Sequence, residues 1–206
     1  MKKGRVMTYT GLLLIAAALC LVGLNLRDNA HAGSAARQTL EELVPQIRES
    51  VPVPDPAEIV DPEETEYPDY LLHPGMEMPV REINGFEYVG VVSIPVLELE
   101  LPVMSEWSYA GLKEAPCRYV GTPYLDNMVI AAHNFEWHFG RIHELVCGDE
   151  VIFTDMDGNV FRYTVAEIEK LSPLAVEEMT ESYWPLTLFT CTVGGRLRVT
   201  VRCQQA

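Results

Sequence analysis

Twenty-one consecutive residues without a charge, Val6 to Leu26 (VMTYTGLLLIAAALCLVGLNL), limit this chain more than any other feature. As a helix they would extend about 30 Å, the thickness of a bilayer's hydrocarbon core. The stretch is therefore expected to enter a membrane, and the lipid bilayer is the first partner. Lys2, Lys3 and Arg5 precede it and Arg27-Asp28 follow. The basic flank predicts a cytoplasmic amino terminus, with everything after Arg27 outside. The alternative is a cleaved signal peptide, because Ala30-His31-Ala32 resembles an A-x-A cleavage site. Either reading exports the remainder.

Composition shifts after the apolar run. Eight of the fourteen prolines lie between Arg27 and Arg81, interleaved with Asp and Glu. Proline favours extended backbone and like charges repel, so residues 28–85 are expected to form a stiff, solvated stalk. Within it Leu40, Leu43, Val44 and Ile47 fall at helical spacing, so Ser34 to Glu49 is a candidate amphipathic helix that Pro45 would kink or interrupt. The net charge of -15 excludes a nucleic-acid partner, which needs a basic footprint to displace phosphate counterions.

From Phe86 the pattern becomes short alternating apolar runs divided by turns, which predicts a mainly β domain over 86–206. Seven candidate strands cover Tyr88–Ile94, Leu97–Val103, Asn127–Ala132, Glu150–Thr154, Val160–Ile168, Leu186–Cys191 and Leu197–Cys203. Asp157-Gly158 marks a hairpin turn. The surrounding Asp155-x-Asp157-Gly158-Asn159 lacks the spacing of a calcium loop. Between Ala166 and Pro185 alternation stops, and a long loop with a short helix opening at Ser172-Pro173 is expected.

Five cysteines, Cys20, Cys117, Cys147, Cys191 and Cys203, form no CxxC pair, and Cys117 and Cys147 could pair or be buried. Cys191 ends the run LTLFTC, where a strand would fix its sulfur. A cysteine nucleophile needs a proton partner. His133, which ends the apolar run NMVIAA, is the best candidate, with His138 and His143 as competitors. Three histidines at intervals of five give no metal-ligand pattern, so neither metal nor cofactor is expected. In RLRVTVRC, alternation puts Arg196, Arg198 and Arg202 on one face, and a guanidinium suits a developing oxyanion.

Together these segments resemble the sortases, the cysteine transpeptidases of Gram-positive cell surfaces. LTLFTC is similar to their TLxTC nucleophile motif, MVIAAHN to the strand ending in the catalytic histidine, and RVTVRC to the strand begun by the essential arginine. YVGVVSIPVLELELPV and HELVCGDEVIF match two further family stretches, in family order. The resemblance implies a closed β-barrel of seven to eight strands with short helices, preceded by the transmembrane helix (1–27) and the stalk. It implies catalytic roles for Cys191, His133 and Arg198, with Arg196 the competitor for the arginine role. Thr190, Thr187 and Asn134 are expected to face the substrate. The insert before the nucleophile strand is similar to that of class B sortases. Implied partners are secreted proteins with a C-terminal sorting signal and an amine acceptor on a peptidoglycan precursor or pilin. The rivals are a surface cysteine peptidase and a non-catalytic, membrane-tethered β-domain.

Overall fold

The alternating runs close on themselves. The computed structural model describes residues 2–50, 67–180 and 183–206. Nine strands form one sheet: β1 (Arg81–Ile83), β2 (Phe86–Ile94), β3 (Leu99–Met104), β4 (Cys117–Val120), β5 (Met128–Ala131), β6 (Glu150–Asp155), β7 (Val160–Leu171), β8 (Leu186–Cys191) and β9 (Arg198–Gln205). Their order is β1-β2-β3-β4-β5-β8-β9-β7-β6, and β6 pairs back onto β2. Eight strands thus make a closed barrel, which leaves no long unpaired edge, while β1 extends β2 antiparallel at Phe86–Tyr88. All seven expected strands are present. β1 and β4 were not foreseen because three or four residues are too short to display a period.

Alternation determines what fills the barrel. Leu186 and Leu188 of β8, Val199, Val201 and Cys203 of β9, and Phe153 and Tyr163 from β6 and β7 share one buried core. The β6–β7 turn is built as its sequence predicts: the Asp155 carboxylate accepts from Tyr124, from the Asp157 and Asn159 backbone amides and from the Asn159 side chain. Cys117 and Cys147 do not pair; both are free thiols.

Over residues 28–50 the extended stalk gives way to helix, and the amphipathic helix expected from Ser34 to Glu49 is present within it. Helix α1 (Lys2–Ser50) runs unbroken from the apolar segment through Pro45. Its first half leaves Leu12, Leu13, Leu14, Ile15, Leu19 and Leu21 exposed. Its second half docks on the outside of the barrel, burying Ala32, Ala36, Leu43 and Ile47. Leu43 and Ile47 join Tyr88, Val91, Met104 and Ala131 in a second apolar cluster. That burial flanks Pro45 and offsets the roughly 3 kcal/mol an interior proline costs a helix. The most proline-rich part of the expected stalk, 51–66, lies outside the described residues. Among the described residues three one-turn α-helices accompany the barrel: α2 (Asp69–Leu72), α3 (Gly111–Glu114) and α4 (Val176–Met179). α4 is the expected helix of the insert. It begins three residues later than Pro173, because Ser172 takes up the Leu174 amide in a turn instead of opening the helix.

Candidate active site

β8 runs between β5, to which it is parallel, and β9, to which it is antiparallel. Cys191 is its last residue. The turn 192–197 reverses the chain through Gly194 and Gly195, whose φ values of 83° and 69° suit glycine. Bonds between Thr192 and Leu197, backbone to backbone and hydroxyl to backbone, close that turn. The result sets Arg198, the first residue of β9, directly opposite Cys191.

On the other side, Ala131 of β5 is in register with Phe189 of β8. The Ala132 amide donates to the Phe189 carbonyl, and the Thr190 hydroxyl donates to the Ala132 carbonyl at 2.8 Å. The residue before His133 is therefore held to β8 from both directions. His133, Cys191 and Arg198 all line one groove of about 280 Å³, together with Trp107, Tyr119 and Met179. Edge-on contacts link Trp107 to Tyr119 and Tyr119 to Phe189, giving one wall an aromatic surface.

The electrostatics favour a negatively charged reacting centre. In a chain with thirty Asp and Glu, no carboxylate lines this groove among the described residues. Among the described residues Arg198 makes only long bonds, 3.3 and 3.4 Å, to the carbonyls of Gly195 and Leu197. Most of its donors are thus uncommitted. Burial, with the positive charge of Lys113 added, holds His133 below the ordinary imidazole value.

The loop after His133 is fixed from outside the barrel. The Asn29 side chain accepts from the Glu136 amide at 2.8 Å. Arg37 lies 4.9 Å over the Trp137 ring, and a side chain at Gly33 would put its first carbon 2.8 Å from that ring. Beneath them His138 is fully buried, and neither ring nitrogen makes a hydrogen bond of good geometry among the described residues. Burial, reinforced by nearby His133, lowers it to about 4. His138 is a buried neutral side chain and cannot compete as the proton partner at neutral pH.

The substrate-facing expectations divide. Asn134 is exposed and borders a second groove beside Cys191. Thr190 borders both grooves, but it is buried and its hydroxyl is spent on Ala132. Thr187 is fully buried and accepts from Arg202, so it lies away from substrate. Arg196 stands in the exposed turn before β9, outside the strand face the sequence assigned it, and lines neither groove.

Sequence reasoning missed Arg202. Buried to 2% exposure, it pairs with Glu169 at 2.8 Å and donates to Thr187 and to the carbonyls of Glu178 and Met179. It thereby ties the insert that carries α4, one wall of the groove, to the barrel. An arginine on an alternating strand signals either a solvated face or a clamp, and only the covering segment decides between them.

The family model of the Sortase domain matches residues 92–206, more than half of the chain. Among solved structures, a Clostridium perfringens sortase D5 transpeptidase is similar at TM-score 0.59 and 20% identity, over 84% of this chain and 99% of its own. Sortase C1 of Streptococcus agalactiae matches at TM-score 0.53 and 22% identity, over 61% of this chain and 70% of its own. Sortase C1 of Streptococcus suis matches at TM-score 0.51 and 23% identity, over 58% and 73%. At these identities the likeness is one of fold. The comparison with curated proteins finds no match.

Proposed function

The chain belongs to the sortase family of cysteine transpeptidases, and from that premise we propose that Cys191 is its nucleophile, His133 its proton carrier and Arg198 its oxyanion partner. One observation carries the assignment: Arg198 is the register partner of Cys191, and His133 leaves the adjoining parallel strand, so all three line one groove.

The donor is a secreted protein with a C-terminal sorting signal, whose chain lies along the aromatic groove. The Cys191 thiolate attacks a backbone carbonyl carbon, and the Arg198 guanidinium donates to the resulting oxyanion. The C–N bond breaks as imidazolium His133 gives its proton to the departing amine. A thioester to Cys191 remains. An amine on a peptidoglycan precursor or pilin then attacks it. Sulfur leaves as thiolate, and the amine's proton passes to His133. Without an amine, water resolves the thioester and the enzyme is a hydrolase.

The long apolar helix fits a membrane anchor. We assign residues 1–27 to it with a cytoplasmic amino terminus, and 86–206 to an extracytoplasmic catalytic domain. Retention is supported by the docked half of α1, since cleavage after Ala32 would remove Asn29 and its bond to the Glu136 amide. A peptide-library cleavage screen, followed by mass analysis of the trapped enzyme, tests the assignment. The acyl adduct is expected on Cys191 and is lost in Cys191→Ala. An adduct elsewhere, or activity retained in that variant, refutes it. Products with and without added amine separate transfer from hydrolysis.

A further inference from the structure

Along α1 the barrel is met almost as soon as the uncharged run ends. Leu26 closes that run, and Asn29, only a turn further on, already accepts from the Glu136 amide at 2.8 Å. His31 meets the Glu114 carboxylate of α3 at 3.6 Å. Trp137 packs on Gly33, and Arg37, one turn later, reaches back over its ring. The 134–138 loop and α3 thus dock against the first turns beyond the apolar run. Both flank His133: the loop continues from it, and Leu112 of α3 lines the same groove.

α1 has no break between its two halves, so height can be read along it. At about 1.5 Å per residue, Asn29 stands about 4.5 Å beyond Leu26, Gly33 about 10 Å and Arg37 about 16 Å. The polar layer on each face of a bilayer's hydrocarbon is about 5–8 Å deep. With the uncharged run filling the hydrocarbon, the Glu136 amide is level with the headgroups and Trp137 stands at their outer margin. Side chains on a helix tilt toward its amino terminus, here toward the membrane, which brings the Arg37 guanidinium down to the turn of Gly33 where Trp137 sits. Trp137 remains 43% exposed in spite of both contacts. An indole beside a guanidinium suits the headgroup boundary, since each has an apolar body and a polar tip. Charges at this level have both signs, Arg27 and Arg37 against Asp28, Glu114 and Glu136. The surface therefore fits a zwitterionic layer.

We propose that the loop 134–137, with Trp137 at its edge, rests on the headgroup layer of the bilayer that α1 enters, so that the groove of His133, Cys191 and Arg198 opens at the membrane surface. The proposal rests on the reading of α1 as a retained anchor. His133 is separated from Glu136 by no more than about 10 Å of chain, so the height of the loop is also that of the groove.

The test uses the full-length chain in phosphatidylcholine nanodiscs, with the indole N–H signals of Trp107, Trp137 and Trp184 followed by NMR. A nitroxide carried on the lipid headgroup should broaden Trp137 strongly, and a nitroxide deep in the acyl chain should broaden it less. Inserting one helical heptad between Arg27 and Asp28 lifts the barrel by about 10 Å and keeps the docked face nearly in phase. It should remove most of the broadening at Trp137 while the Trp107 and Trp184 signals stay where they were. Trp137 unbroadened by the headgroup label, broadened more by the deep one, or as broad after the insertion would each overturn the proposal. The comparison of the two labels needs no variant, so it decides even where the lengthened chain does not fold. A chain that does not remain with the discs overturns the anchor reading itself. One that remains with an unbroadened Trp137 keeps its anchor and loses only the surface.

Discussion

The β8–β9 ladder carries a cysteine at each end, and the two ends share little beyond their strands. At one end Cys203 faces Leu186 inside the barrel. Burial pushes its thiol up to about 12, where thiolate is negligible at neutral pH. At the other end Cys191 faces Arg198, is half-exposed between two grooves, and has no carboxylate on either side among the described residues. Cys117, on β4, belongs with Cys203, its thiol pushed by burial up to about 11. Accessibility here follows position on the barrel wall: one ladder holds a sealed thiol at one end and, at the other, the partly exposed thiol proposed to react.

The sharpest test of that contrast is all-or-none. Iodoacetamide should alkylate Cys191 and leave Cys203 and Cys117 unmodified in the folded chain, as read by peptide mass mapping. Exposed Cys147 is the positive control. Labelling of Cys203 at a comparable rate would erase the distinction. Next in size is Arg198→Lys, which keeps the charge at the open end but loses the fork. Removing an oxyanion donor typically costs about 2.7–4 kcal/mol, so kcat should fall roughly a hundredfold or more. A larger loss from Arg196→Ala would shift the assignment to the turn.

The open end also depends on the loop that begins at His133, and its pH response can be worked out from His138. In the unfolded chain this imidazole protonates near its ordinary 6.5, whereas folded it resists until about 4. Between those values the unfolded state binds a proton that the native state does not, so stability is greatest above 6.5 and falls as pH drops toward 4. The loss amounts to about 3 kcal/mol. Chemical denaturation of His138→Leu at pH 7 and pH 4 should show most of that acid-dependent loss removed. An unchanged acid limb would mean that the burial of His138 is not what sensitises this loop.

These dependences mark what the sequence could reveal. The three residues proposed to react stood out as candidates because Cys191 ends β8, Arg198 begins β9 and His133 follows β5 by two residues, each within a motif of a few residues. The seven longer strands were legible through their period, and the apolar half of α1 through length alone. What alternation cannot say is which face will be covered. Thr187 was expected to face the substrate and Arg202 to share the strand face of Arg198, yet Glu178 and Met179 of the insert cover them. In the docked half of α1 the spacing of Leu40, Leu43, Val44 and Ile47 announced a helix but not its docking, because its partners are remote: Asn29 and Glu136 stand 107 positions apart, and nothing local announces that Gly33 lies against Trp137.

The finest distinction lies between two buried threonines of β8. Thr190 shares the inward face with Leu186 and Leu188 and donates to the carbonyl before His133. Thr187, on the opposite face, accepts from the Arg202 clamp that holds the groove wall at Met179. Valine keeps the shape of either and deletes its hydroxyl. Leaving a buried polar partner unsatisfied costs about 1–3 kcal/mol in both cases. The kinetic consequences should nonetheless differ. Thr190→Val frees the backbone that positions His133, so kcat should drop about tenfold with KM nearly unchanged, and Thr190→Ser should restore it. Thr187→Val loosens the wall against which the donor lies, so KM should rise while kcat holds. If both variants moved the same parameter, the two ends of the ladder would be one mechanical unit and the contrast between its cysteines a matter of burial alone.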